Sequence, residues 1–315
     1  MKYFLFLIVV LDLYAINFRN LIVVSPQMSI DKIINIMESV KDYTVIRFRA
    51  GYYDFSYHKV MINNKISIAF EGVEGTNFHN LTLQVTNTNN MRINYIKYRN
   101  GVVRFLNDNN ILIKNFTFEE TNMVIDNSQI ILYKVISKRD YNKKIVIHNS
   151  NINMGYSIIL DNNSLVLDAI ASNIGLFQNN LGLVRFITSN LKILENKFSY
   201  NSYLQKFFLI VINSNIDCIG NSFYDNYGGV LGINSKIHLE RNIFINIKYD
   251  AYIEDNSEIT LLKNKRHNGK VIIKDSIFLK DPTLLMVNFY SLRTIFDKAQ
   301  FDIDYSKLKK VKYGN

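Results

Sequence analysis

The sequence predicts an all-β chain wound as a parallel β-solenoid, and three observations carry that reading. A short polar turn recurs between two apolar triplets, mostly every 19 to 26 residues. The residues after each turn alternate between apolar and polar with period two, the signature of a strand, and no window between residues 60 and 280 sustains a helical period. Proline occurs only at Pro26 and Pro282, as expected where every coil must donate backbone hydrogen bonds to its neighbours. With 315 residues, 48% apolar and 20% charged, the chain is long enough for a sizeable core and too apolar for disorder.

Taken in order, the elements begin with Lys2, an apolar run from Tyr3 to Leu11, then Asp12 and Ala15, which read as a secretory signal over residues 1–15. The run is too short to span a membrane, and its competing assignment is a buried N-terminal strand. No later stretch approaches 18 apolar residues, so the mature chain is expected to lack a transmembrane segment and to be extracytoplasmic, periplasmic or secreted. Residues 16–48 form an N-terminal segment in which Ser29 is the N-cap of a short amphipathic helix carrying Ile30, Ile33, Ile34, Met37 and Val40, suited to capping the first coil. Thr44 to Phe48 is read as the first strand. Residues 49–280 hold the stack, and 281–315 a C-terminal cap and basic tail with Lys307, Lys309, Lys310 and Lys312.

Within the stack the turns are Asn107-Asp108-Asn109-Asn110, Asp126-Asn127-Ser128-Gln129, His148-Asn149-Ser150-Asn151, Asp161-Asn162-Asn163-Ser164, Thr188-Ser189-Asn190, Asn213-Ser214-Asn215, Asn234-Ser235-Lys236 and Asp255-Asn256-Ser257-Glu258, with Thr86 to Asn90 as a ninth. The apolar residues that follow fall at 91, 111, 130, 152, 165, 191, 216, 237 and 259. The 13-residue interval ending at Leu165 is too short for a coil, so the register is open between about 140 and 165. Asn196, Asn221, Asn242 and Asn264 share one turn position and are expected to form an amide ladder, tolerant of left-handed backbone. Cys218 is the only cysteine, which excludes an intramolecular disulfide.

The opening Ser29-Ile-Asp-Lys-Ile-Ile, Thr44-Val-Ile-Arg-Phe-Arg-Ala-Gly51-Tyr-Tyr-Asp-Phe and Ile66-Ser-Ile-Ala-Phe-Glu-Gly72, followed by Arg92 to Gly101, resembles that of the right-handed parallel β-helix superfamily, the pectin-lyase-like proteins. The resemblance covers roughly residues 29 to 280. It implies a right-handed parallel β-helix of about ten coils, with a short N-terminal capping helix and a C-terminal cap. Activity varies across that superfamily, from lyases, epimerases and hydrolases to adhesins. Its enzymes generally bind polysaccharide beside the strand preceding the turn. Its lyases often use an Arg or Lys base with calcium, and calcium is implied here by the resemblance alone.

In this chain the strand before the turn is apolar except for Arg104 and Arg185, some four coils apart. The superfamily's hydrolase signatures are missing; the nearest motif is Arg266-His267-Asn268-Gly269. On the strand after the turn, Lys192, Asp217, His238 and Thr260 each lie three residues past the turn serine. Stacking brings Asp217 and His238 to about 5 Å, within reach of an acid–base pair, with Glu240 and Arg241 nearby. The competing reading is a solvated ladder of mixed charge. Asp217 and His238 are thus the candidate catalytic residues, and Lys192, Arg241, Arg104 and Arg185 the candidate substrate-binding ones. Tyr200, Tyr203, Tyr224 and Tyr227 could stack on sugars or cover the flank.

A formal charge of +10 favours an anionic partner, an acidic polysaccharide or cell-surface glycan, and nothing in the pattern resembles a nucleic-acid module. The function expected is binding and, where the chain is catalytic, lyase, epimerase or glycoside hydrolase chemistry on that polymer. The alternative is a non-catalytic structural or adhesive solenoid.

Overall fold

The computed structural model describes residues 18–137, 145–160, 165–199, 206–267 and 269–278, together with 296, 303 and 305–310. The expected signal, the turn at 161–164 and most of the expected C-terminal cap lie outside them. The architecture is a parallel β-solenoid of about 11 turns, in two compact units: Met1–Ile136 with Tyr290–Asn315, and Ser137–Phe289.

In the first unit, Asn20–Val24, Thr44–Phe48, Ile66–Glu71, Asn89–Asn94, Ile111–Lys114 and Gln129–Tyr133 form one parallel sheet. The first described strand therefore precedes the helix, one coil earlier than the sequence predicts. The helix spans Ile30–Glu38 and buries Ile33, Ile36 and Met37. Ser29 occupies the N-cap, although its side chain makes no capping bond. Glu38 accepts a bond from the Met61 amide at 3.0 Å, tying the helix to the strand Lys59–Asn63. The coil interior is aromatic: Phe48 packs edge-on against Tyr53, Phe70 and Phe78 with centroids 4.8–6.0 Å apart.

The chain's far end returns to this unit. Lys309–Lys310 adds a parallel strand to Asn20–Leu21, and Ile303, Tyr305 and Leu308 pack around Leu21, Val45 and Ala69. Phe296 is buried and stacks on Tyr133, 6.2 Å between centroids. These contacts join positions hundreds of residues apart and have no local sequence signature.

The second unit repeats the coil with less variation. Asn151–Gly155, Asn173–Phe177, Asn190–Leu194, Asn215–Ile219, Lys236–Glu240 and Glu258–Leu262 pair in parallel. Phe198, Phe223 and Phe244 stack with centroids 4.8 Å apart, one coil apart and with nearly parallel ring planes. The amide ladder forms and is longer than the sequence suggests. Asn179, Asn196, Asn221 and Asn242 each donate Nδ2 to the next Asn Oδ1 at 2.9–3.1 Å, ending on Asn264. Left-handed backbone falls on the residue before each ladder amide: Gln178, Glu195, Gly220, Arg241 and Lys263. A second ladder runs through the turn serines, in which the amides of Ser150, Ser172, Ser189, Ser214, Ser235 and Ser257 each bond the next serine Oγ at 2.9–3.2 Å, ending on Ser276.

This second ladder resolves the open register. The coil's turn is Ala171-Ser172-Asn173 before Ile174, which pairs with Ile152 and Leu191. Leu165 instead begins a strand of the opposite wall and pairs with Leu183. The turn was hidden because the left-handed position, Asn149 or Asn213 elsewhere, is Ala171 with φ 53°. A left-handed alanine costs roughly 1–2 kcal/mol. Ala171 is exposed, so Ala171→Gly should raise the unfolding free energy by about 1 kcal/mol in urea denaturation; destabilisation would contradict the turn assignment.

Candidate functional site

The register aligns the predicted residues in one row: Lys192 pairs with Asp217, Asp217 with His238, and His238 with Thr260. They lie on the outer face of their sheet, yet the row does not stand in solvent. Lys192 and Thr260 are buried, and Asp217 and His238 are half-buried. His238 Nε2 lies 3.3 Å from Glu240 Oε2, and Arg241 Nε lies 3.2 Å from Glu240 Oε1, so a chain of polar contacts leads from the exposed Arg241 inward.

Burial disfavours the charged forms here. It holds Lys192 down to about 8 despite the opposing pull of Asp217. It also raises the Asp217 carboxyl above the ordinary range, against the nearby His238 and Lys192. Burial thus moves a lysine and a carboxyl on adjacent coils towards their neutral forms.

The two arginines of the other wall are not brought together with this row. Arg104 belongs to the first unit, exposed between Gln84 and Val124. Arg185 is held in a fork by Asp168, with Nε–Oδ1 2.9 Å and NH2–Oδ2 2.7 Å. That hydrogen bonding raises the Arg185 pKa.

The sequence reading missed a second surface of the same unit, built on the long strands Ser222–Ile233 and Ile243–Glu254 with Phe207–Ile212. Four half-exposed rings converge there: Phe207, Tyr227, Tyr249 and Tyr252, with neighbouring centroids 5.1–6.5 Å apart. Phe207 lies flat against Gly228, where a Cβ would fall 2.1 Å from the ring. Lys248 Nζ sits 5.0 Å from the Tyr227 ring and 5.2 Å from that of Tyr249. Lys274 Nζ lies 5.1 Å from the Tyr252 ring, and hydrogen bonding with that residue raises its pKa. Lys206 and Lys270 are exposed beside them. The available signal was a 21-residue period: Phe207, Gly228, Tyr249 and Lys270 occupy one register position. Of the tyrosines singled out from sequence, Tyr227 belongs to this cluster. Tyr224 has Lys197 5.3 Å from its ring, and Tyr200 and Tyr203 lie outside the described residues.

Among the described residues, no group of three or more His, Cys, Asp or Glu side chains is arranged to hold a metal ion. No helix there is long and apolar enough to cross a membrane.

No family model matches the sequence, and no curated protein matches it. Among solved structures, the chain is similar to an alginate lyase from Paenibacillus sp. (10% identity, 82% of this chain and 99% of that one, TM-score 0.44). It is also similar to the surface adhesin PfbA of Streptococcus pneumoniae (10%, 75% and 89%, 0.39) and to a pectate lyase variant from Xanthomonas campestris (12%, 91% and 95%, 0.38). The parallel β-helix assignment rests on the strand registers given above.

The folded chain holds the Lys192 proton less tightly than the unfolded chain does. Between about pH 8 and the ordinary lysine value of 10.5 the unfolded state therefore binds more protons, and stability rises with pH. Unfolding free energies measured across that window should rise for the wild type relative to Lys192→Met; a difference independent of pH would contradict the buried lysine.

Proposed function

We propose that this is an extracytoplasmic β-helix protein that binds an anionic polysaccharide on the aromatic and lysine surface of its second unit. The observation that carries the reading is the convergence of Phe207, Tyr227, Tyr249 and Tyr252 with Lys206, Lys248, Lys270 and Lys274. Aromatic faces stack on the C–H faces of sugar rings, and ammonium groups at their edges meet carboxylates or sulfates. The ring over Gly228 is preorganised, so little conformational entropy is lost on binding. Export is supported by the pattern of residues 2–15, and an anionic partner by the +10 charge.

A second reading, lyase or epimerase chemistry on a uronate polymer, is favoured by one observation, the alignment of the buried Lys192 with Asp217 and His238 on consecutive coils, where burial moves the lysine and the carboxyl towards their neutral forms. Such chemistry needs a base to remove the proton next to the carboxylate and a cation to meet the developing charge. Lys192, Asp217 and His238 can supply both roles. Without that chemistry, the binding surface serves an adhesive or structural solenoid.

One experiment addresses both readings. Polygalacturonate and alginate should bind in calorimetry and weaken about tenfold with Tyr249→Ala or with Lys248→Ala/Lys274→Ala, and further as salt rises; dextran should not bind. Unaltered affinity in both variants would overturn the surface. Unsaturated uronate ends formed by wild type and lost in Asp217→Asn and His238→Ala would establish the lyase reading, and their absence with every polymer would overturn it.

A further inference from the structure

The first unit holds a separate cleft of about 330 Å³ between its second to fourth coils and the returning C-terminal segment. Its walls carry Arg47, Glu71, Glu74, Asn94, Tyr95 and Tyr305. Arg47, Glu71 and Asn94 come from consecutive coils at one register position, so three planar polar groups line up along the floor at coil spacing. Glu71 is fixed by Arg92 Nε at 2.7 Å, Asn94 Nδ2 at 2.8 Å and the Tyr305 hydroxyl at 3.5 Å. The Arg47 guanidinium lies 4.4 Å from the Tyr305 ring centroid. On the rim, Tyr95 is 43% exposed, and Glu74 is also exposed. The turn bearing Tyr95 is locked to its neighbour by Gly72, where a Cβ would lie 2.2 Å from the Tyr95 carbonyl oxygen.

We propose that this cleft binds a single neutral pyranose, a sugar unit without a carboxylate. The volume lies at the lower end of the roughly 300–1,000 Å³ of small-molecule sites. The floor of Glu71 and Asn94 is buried and already hydrogen-bonded, so it is the Arg47 guanidinium and the exposed Glu74 carboxylate at the rim that offer hydrogen-bonding atoms to hydroxyls, and the exposed Tyr95 ring that offers an apolar face. The charges decide against a uronate: Glu71 is paired with Arg92, and the lining's remaining cation, Arg47, is matched in number by the carboxylate of Glu74, so the cleft carries no net positive charge for a carboxylate. The site goes beyond the polyanion surface of the second unit and shares no residue with it. Because Tyr305 belongs to the C-terminal segment, an occupied cleft ties that segment to the coils.

The test is calorimetric titration of the whole protein with methyl glucopyranoside, methyl galactopyranoside, methyl mannopyranoside and N-acetylglucosamine, with galacturonate as the acidic counterpart. At least one neutral sugar should bind saturably, at least about tenfold more tightly than galacturonate. Glu74→Ala and Tyr95→Ala, both at exposed positions, should weaken it about tenfold, while Tyr249→Ala leaves it unchanged. Absence of binding by all four neutral sugars overturns the proposal, as does preference for galacturonate. So does binding insensitive to Glu74→Ala and Tyr95→Ala, or lost in Tyr249→Ala. Polyuronate binding is read separately through the Tyr249 and Lys248 variants, so the failure of one surface does not mask that of the other.

Discussion

The rest of the structure depends on one constraint: every turn must hydrogen-bond to the turn of the next coil. At the corners the backbone leaves the sheet, and its amides would be buried without partners. The turn serines and the ladder asparagines solve this with side chains. Asn196, Asn221 and Asn242 use Oδ1 to accept both the backbone N–H and the Nδ2 of the preceding ladder residue, and donate their own Nδ2 to the following one. Each amide is at most 2% exposed, where a missing partner would cost about 1–3 kcal/mol. The ladders thus fix register at the two corners that bound the Asn190–Leu194 type of strand, and side chains between them align from coil to coil.

That alignment turns a one-dimensional pattern into chemistry. The same register that stacks Phe198, Phe223 and Phe244 inside also places Lys192, Asp217 and His238 in a row outside. A slip of one residue would send each of these to the opposite face. Two surfaces of the second unit are therefore products of one hydrogen-bonding rule: an enclosed charged row and an open aromatic and lysine face. In the proposed lyase reading the first would move protons, since burial shifts Lys192 and Asp217 towards their neutral forms. The second suits contact with a polymer, since its rings and ammonium groups remain accessible.

Much of this was legible because a solenoid repeats its local rules. The Asn ladder, the Ser turns and the capping helix all carry short-range signatures, and the register pairing of Asp217 with His238 follows from counting past the serine. Ala171 broke the reading because the turn there keeps the geometry without the residue that advertises it. The burial of Lys192 was not legible, since nothing in period-two alternation distinguishes an outward residue in solvent from one that is covered. The cleft was invisible for a related reason: Tyr305 meets Arg47 and Glu71 across most of the chain, and such separations leave no local trace.

The distribution of charge connects the fold to the proposed partner. Buried carboxylates are clamped by arginines from the following coil three times over: Glu71 by Arg92, Asp168 by Arg185 and Asp250 by Arg266. An isolated buried carboxylate would neutralise itself by raising its pKa, and a paired guanidinium opposes that while tying one coil to the next. These arginines are therefore committed within the coils, and their charge is balanced locally. The lysines of the aromatic face and of the added strand are placed differently. Lys206, Lys248, Lys270 and Lys274 stand exposed around the aromatic face, and Lys309 and Lys310 are exposed on the added edge strand, where charge discourages pairing with another chain. The positive excess of the sequence is thus carried at these places by flexible, hydrated ammonium groups rather than by carboxylate-paired arginines. That is the form of charge suited to following a mobile anionic polymer, whose carboxylates recur at intervals without presenting one fixed geometry.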